Sequence, residues 1–185
     1  MIHPHTELKP INPVIGFGVF ATASIPRGTI IWKPDPLDRV LTRAELAVLP
    51  RALAFDIERY CWQRRDRRFV LAWDLARFVN HSCAPNCLTT EFGFEIVTRD
   101  VAVGEEITND YADLGMQPHE RFECCCGEPT CRRLIVANDA DRFRRLWTSE
   151  ARTALDDVPS VDQPLASVLT QDVMASLGMD ERAVA

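Results

Sequence analysis

Three consecutive cysteines, Cys124, Cys125 and Cys126, followed by Cys131, restrict this 185-residue chain more than any other feature of its sequence. Neighbouring cysteines cannot all enter one simple disulfide framework, because a bridge needs facing Cβ vectors and Cα atoms about 5.5–6 Å apart. The total of seven is also odd. Metal ligation in a reducing compartment explains the cluster better. Cys124-x-Cys126-x4-Cys131 offers three thiolates within eight residues, and Gly127 permits a tight turn between them. A closed structural zinc site takes four ligands. The fourth must come from elsewhere: Cys83, beside His81, leads, with Cys87, His119 and Cys125 as alternatives. Cys61 and the remaining Cys87 are read as inert buried thiols.

The rest of the composition suits one compact domain able to bury a core, with 46% hydrophobic and 26% charged residues. A net charge of −6 argues against a surface that grips nucleic acid throughout. The basic side chains are nineteen arginines and two lysines, Lys9 and Lys33. Arg59, Arg64, Arg65, Arg67 and Arg68 face only Glu58 and Asp66, whereas positions 150 to 182 hold seven acids against Arg152 and Arg182. Both blocks read as solvated faces or as docking sites for a charged peptide. No apolar run approaches the roughly 20 residues of a bilayer span, and Met1 to Pro10 lacks the basic start and apolar core of a secretory signal. A cytoplasmic placement is the expectation.

Along the chain, positions 1–10 read as an entry strand or loose arm, and Ile11 to Phe20 as strand, tight turn, strand around Gly16 and Gly18. Thr29 to Trp32 is a short apolar strand. Thr42 and Glu45 resemble a capping box ahead of Leu46, Leu49 and Leu53, with Pro50 breaking the helix. Arg67 to Trp73 reads as strand, Asp74 to Val79 as a helical turn, and 87–98 as a hairpin turning at Gly93. Ile107 to Tyr111 follows another turn. Leu134 to Trp147 has the pattern of an amphipathic helix, and a terminal helix is expected from Gln171.

Asn80-His81-Ser82-Cys83-Ala84-Pro85-Asn86 is a dense polar stretch between apolar flanks, suited to holding a cofactor by hydrogen bonds. A nucleophilic Ser/Cys–His pair here lacks a specified acidic orienting partner. Gly16-Phe17-Gly18 lacks the third glycine and the βαβ context of a dinucleotide fingerprint. No phosphate-loop lysine pattern and no zinc-protease histidine pair is present.

Taken in order, GFGVFA (16–21), PRGTII (26–31), ARFVNHSCAPNC (76–87), GEEITNDY (104–111) and CCCGEPTC (124–131) resemble the SET-domain protein lysine methyltransferases over most of the first 135 residues. The resemblance implies a mostly β fold with short helices, knotted so that the NHSC segment packs against the segment carrying Tyr111. It further implies an arm at 1–10, a SET catalytic domain at 11–113, a post-SET zinc segment at 114–135 and a helical extension at 136–185. Cys83, Cys124, Cys126 and Cys131 would hold one structural zinc ion, with Cys125 an intervening residue. S-adenosylmethionine, the methyl donor, would contact Gly16, Phe17, Gly18, Arg77, Asn80, His81 and Phe122. Tyr111 would be the catalytic tyrosine, and Tyr60, Asn109 and Tyr111 would line the substrate-lysine channel. The implied partner is a protein or peptide containing lysine, histone-like among the options, with no direct nucleic-acid binding and no membrane.

Two features depart from the family pattern. Asn109 stands where many relatives have Phe or Tyr, a position associated with the number of methyl groups that fit. No cysteine-rich module precedes Gly16, an economy that resembles stand-alone SET proteins, including those of bacteria. A SET fold that binds a peptide without turnover is the second function class; retention of Tyr111 and the Asn80–His81 pair favours catalysis.

Overall fold

A computed structural model describes residues 1–50, 59–64 and 66–179. Leu53, Glu58, Arg65 and Arg182, named above, lie outside the described residues. In chain order the strands are β1 (Thr6–Asn12), β2 (Gly16–Ala21), β3 (Ile30–Trp32) and β4 (Arg39–Leu41), followed by helix α1 (Arg43–Ala47). Next come β5 (Cys61–Gln63), β6 (Phe69–Leu71), a 3-10 turn (Leu75–Phe78), β7 (Asn80–His81), β8 (Cys87–Thr89), β9 (Glu95–Val97) and β10 (Thr108–Asn109). β11 (Arg121–Glu123), β12 (Leu134–Val136), α2 (Asp139–Leu155) and α3 (Gln171–Ser176) complete the order.

From Thr6 the N-terminal segment is strand, with β1 pairing antiparallel to β2. Their turn is closed by Asn12 Oδ1, which accepts from Val14 N and Ile15 N at 2.9 Å each, while Gly16 takes φ +89°. The expected capping box forms at α1: Thr42 Oγ1 accepts from Glu45 N at 3.2 Å and Thr42 N donates to Glu45 Oε2 at 2.7 Å. In the β4-β6-β5 sheet, the basic turn before β6 is partly neutralised by Asp66, which pairs with Arg64 at 3.4 Å and Arg68 at 3.0 Å.

The β3-β9-β8 sheet is the centre of the molecule, and the β8–β9 hairpin turns through Gly93 as expected. Alternation along β9 sends Phe94 and Ile96 to one face and Glu95 and Val97 to the other. The first face packs with Ile30 and Leu88 against Trp147, Ala151 and Ala154 of α2 and against Val158 and Leu165. The second joins Ile31, Trp32, Cys87 and Val97 to Val19, Ala21, Ile25, Val101 and Ile107. A sheet covered on both faces explains why β3 reads as an unbroken apolar run.

The amphipathic segment departs from its expected limits. Leu134–Val136 is a strand antiparallel to β11, with Ile135 fully buried opposite Phe122, and the helix begins only at Asp139. Consecutive β-branched Ile135 and Val136 fit a paired strand better than a first helical turn. At 17 residues α2 exceeds the short helices expected, and the architecture is mixed α/β. Beyond it, Gln163 donates to Gly28 O at 2.8 Å and accepts from Ile30 N at 3.0 Å, tying the C-terminal segment to the edge of the central sheet.

Burial shapes stability at the N-terminal end. His3 is 3% exposed, and burial, helped by His5, lowers its pKa to about 4. The folded chain therefore binds fewer protons here than the unfolded chain, so this contribution is intact above about pH 6.5 and is lost as pH falls towards 4. A shift of this size corresponds to roughly 3 kcal/mol. Urea midpoints should fall between pH 7 and pH 4.5, and a His3→Asn variant should show a flatter dependence over that range.

Candidate active site and cysteine centre

The two polar segments singled out in the sequence meet directly. β7 and β10 pair in parallel, Asn80 opposite Thr108 and His81 opposite Asn109, and Ser82 N donates to Asn109 O at 3.0 Å. So short a parallel pair needs a clamp, which Asn86 provides. Its Oδ1 accepts from Thr108 N at 2.9 Å and its Nδ2 donates to Glu106 O at 2.7 Å, with the residue 1% exposed. The pairing carries Tyr111 over the end of β7, where its hydroxyl donates to Val79 O at 3.0 Å. Burial is the main reason that the Tyr111 phenol is pushed up to about 12. It stays a neutral donor throughout the physiological range.

His81 joins this site to the cysteines. Burial, and then the charge of Arg132, lowers its pKa to about 4, so the ring is neutral at pH 7. Nδ1 accepts from Tyr111 N at 3.2 Å, which places the remaining proton on Nε2, 3.5 Å from Cys83 Sγ. Phe122 of β11 completes an aromatic group, its ring centroid 5.2 Å from His81 and 5.7 Å from Tyr111.

The glycine turn lies against the same group. Asn80 Nδ2 donates to Phe17 O at 2.9 Å and to Glu106 Oε1 at 2.7 Å, which commits the amide protons and leaves Oδ1 as the acceptor. Gly18 is glycine for want of space: a Cβ there would stand 2.4 Å from Glu106 Oε1 and 2.7 Å from Ile11 Cδ1. Gly18→Ala should therefore cost about 1–3 kcal/mol of stability through overpacking, read as a lower melting temperature. Gly93→Ala, where no atom lies within 4 Å of the added carbon but φ is +77°, measures the backbone cost alone.

Tyr60 packs on Phe78 at 5.1 Å, and Phe78 on Phe17 at 6.2 Å, so an aromatic row leads from β5 to the glycine turn. Arg77 joins this row only through Phe78, its guanidinium 5.0 Å from that ring while it donates to Trp73 O at 3.3 Å. Asn109, in β10, is fully buried. Phe78 and Glu106 stand inside the motifs quoted but carry no sequence signal of their own, and Asn86, part of the polar stretch, turns out to clamp strands; these roles depend on which strand lies alongside, which spacing does not encode.

The cysteine centre resolves the open choice of a fourth ligand. The Sγ atoms of Cys83, Cys124, Cys126 and Cys131 all lie within 4.8 Å of one another, whereas Cys125 is exposed and Cys87 is fully buried with its Sγ 3.0 Å from Thr108 O. Tetrahedral thiolates at a zinc–sulfur distance of about 2.3 Å stand about 3.8 Å apart. Cys83 and Cys124 are separated by 3.8 Å, so the donor set fits zinc in size and softness. Arg132, which spacing did not mark, anchors the centre: its backbone N and Nε donate to Cys83 Sγ at 3.4 and 3.5 Å, and Nη2 pairs with buried Asp110 at 2.6 Å. Asp139, at the start of α2, approaches Nη1 at 3.3 Å. Such contacts orient metal ligands from outside the coordination sphere.

Comparison with known proteins agrees with this geometry. A family model for the SET domain matches residues 16–112. The Drosophila melanogaster histone-lysine N-methyltransferase trr is 41% identical over 140 residues, covering 66% of this chain and 5% of that protein. The Schizosaccharomyces pombe H3 lysine-36 specific histone-lysine N-methyltransferase is 30% identical over 154 residues, covering 76% and 19%, respectively. The H3 lysine-4 specific enzyme of the same yeast is 41% identical over 66 residues, covering 32% and 7%. The chain thus spans less than a fifth of the length of these relatives. With more than half of its residues inside the family match, and with the cysteine centre fixed beside the paired NHSC and NDY segments, the chain belongs to the SET-domain family.

Proposed function

We propose that the protein transfers a methyl group from S-adenosylmethionine to the side-chain amine of a protein lysine. The observation that carries this reading is the parallel β7–β10 pair, which brings Asn80, neutral His81 and the Tyr111 phenol together against the Phe122 ring. When bound, S-adenosylmethionine supplies an electrophilic methyl on a sulfonium. The chain's own work is binding and alignment: Asn80, whose Oδ1 is left to accept, the Gly16–Gly18 turn and Phe122 would hold the donor. The Tyr111 hydroxyl orients the lysine amine in line with the methyl, and exclusion of water and fixed geometry supply much of the rate.

In this reading Cys83, Cys124, Cys126 and Cys131 hold one zinc ion with a structural part, ordering the segment that carries Phe122. The activities of those relatives make histone tails the first substrates to test. Labelled S-adenosylmethionine with arrayed lysine peptides, histone H3 tails among them, should give label on lysine that mass spectrometry locates. Binding of the donor with no label on any lysine would point instead to a peptide-binding SET fold.

A further inference from the structure

Buried polar atoms without partners are rare in native proteins, and a cluster of them marks the place of a polar ligand or water. Four such atoms belong to residues around Glu95: Trp32 Nε1, Thr89 Oγ1 and both amide atoms of Asn109. Trp32 and Thr89 are the register partners of Glu95 on the two strands that flank β9 in the central sheet. Asn109 approaches the carboxyl closely enough to favour its ionised form, yet outside hydrogen-bond geometry. Two residues on from Asn109 stands Tyr111, whose phenol feels the Glu95 charge. Glu95 occupies a face otherwise built from Trp32, Cys87 and Val97. An acid placed there has a desolvation cost that packing does not explain.

We propose that Glu95 and Asn109 form the polar end of the lysine pocket beneath Tyr111, where the Glu95 carboxylate receives the target ammonium and takes its proton. This rests on the methyl-transfer reading. The step balances simply. One N–H bond of the lysine ammonium breaks as an O–H bond forms on Glu95, leaving a neutral amine and a neutral carboxyl. The amine lone pair then forms the N–CH3 bond as the methyl–sulfur bond breaks, the sulfur keeping the electron pair. Glu95 returns its proton to solvent before the next transfer. Asn109, with a donor and an acceptor to offer, holds the amine and the carboxyl in register.

The surroundings suit a base that works near neutrality. Burial above all raises the Glu95 carboxyl to about 7; Asp113 raises it further, and the Asn109 amide and the Cys87 thiol, 3.7 Å from Oε2, oppose the rise. Asp113 itself accepts from Thr89 N at 3.1 Å. A base whose pKa matches the working pH combines a usable ionised fraction with enough basicity to remove a proton.

The test uses the zinc-loaded chain with S-adenosylhomocysteine, the donor lacking its methyl, and n-butylammonium as a mimic of the lysine tip. The Glu95 carboxyl carbon, assigned in 13C NMR by its loss in Glu95→Gln, is followed through a pH titration. The proposal predicts that the mimic moves the midpoint down by about one pH unit, a tenfold preference for the ionised acid, that n-butanol does not, and that Asn109→Phe removes the effect. A midpoint indifferent to the ammonium overturns it. Failure of S-adenosylhomocysteine to bind would overturn the methyl-transfer reading and this proposal with it. On whichever lysine peptide the protein methylates, Glu95→Gln should lose roughly 100-fold in rate at pH 7 and regain rate as pH rises. An unchanged pH profile is the contrary result.

Discussion

Replacing Tyr111 with phenylalanine is expected to lower methyl-transfer turnover by about 10²-fold or more while leaving the fold nearly intact. The ring keeps its contacts with His81 and Phe122, at 5.5 and 5.7 Å; what disappears is one hydroxyl donating to Val79 O. A net hydrogen bond contributes about 0.5–1.5 kcal/mol to stability, and an acceptor left buried without a partner costs about 1–3 kcal/mol. The loss of an aligned hydroxyl at the reacting centre is of a different order, since removal of a single preorganised donor lowers turnover about 10²- to 10³-fold. Initial rates with labelled donor and melting curves on the same preparations separate the two. A loss of activity no greater than the loss of folded protein would show that the phenol is a structural group.

The second large effect is expected at the cysteine centre. Cys131→Ser leaves three thiolate ligands, and chelation leaves all four without their ion. In either case the segment that pairs β11 with β12 loses its anchor to Cys83, and with it the position of Phe122 against His81 and Tyr111. Because His81 Nε2 and Arg132 both address Cys83 Sγ, the disturbance reaches Asp110 and the Tyr111 segment as well. Metal content by elemental analysis should fall from one zinc per chain to well below one, with donor affinity falling at least tenfold, about 1.4 kcal/mol. Exposed Cys125→Ser is the control and should change neither quantity. Donor binding that survives full chelation would assign the metal a part unconnected with the pocket.

The site was legible in the sequence where a motif is local and opaque where it depends on what lies across from it. The cysteine spacing announced three ligands, and Gly16 and Gly93 announced turns, because those constraints act within a few residues. The amphipathic pattern from Leu134 misplaced a helix start, since Ile135 and Val136 satisfy a helical stripe and a strand equally until the partner Phe122 strand is known. Arg132 reads as one arginine among nineteen; its part emerges only when Cys83, Asp110 and Asp139 are brought around it from three different places in the chain. Glu95 was hidden for the same reason. On a strand it looks like a solvent-facing residue of an alternating pattern, and only the covering of both sheet faces turns it into a half-buried acid on an apolar face.

The most direct test is a calorimetric titration of S-adenosylmethionine into the zinc-loaded protein, with Asn80→Ala as control. Asn80 is the better single control because His81 is buried and bonded on both sides, so its removal would confound binding with folding. Saturable binding to one site per chain, lost or weakened at least tenfold in a folded Asn80→Ala variant, is the predicted result. No heat of binding from well-folded, zinc-loaded protein would contradict the assignment of these residues to a methyl-donor site.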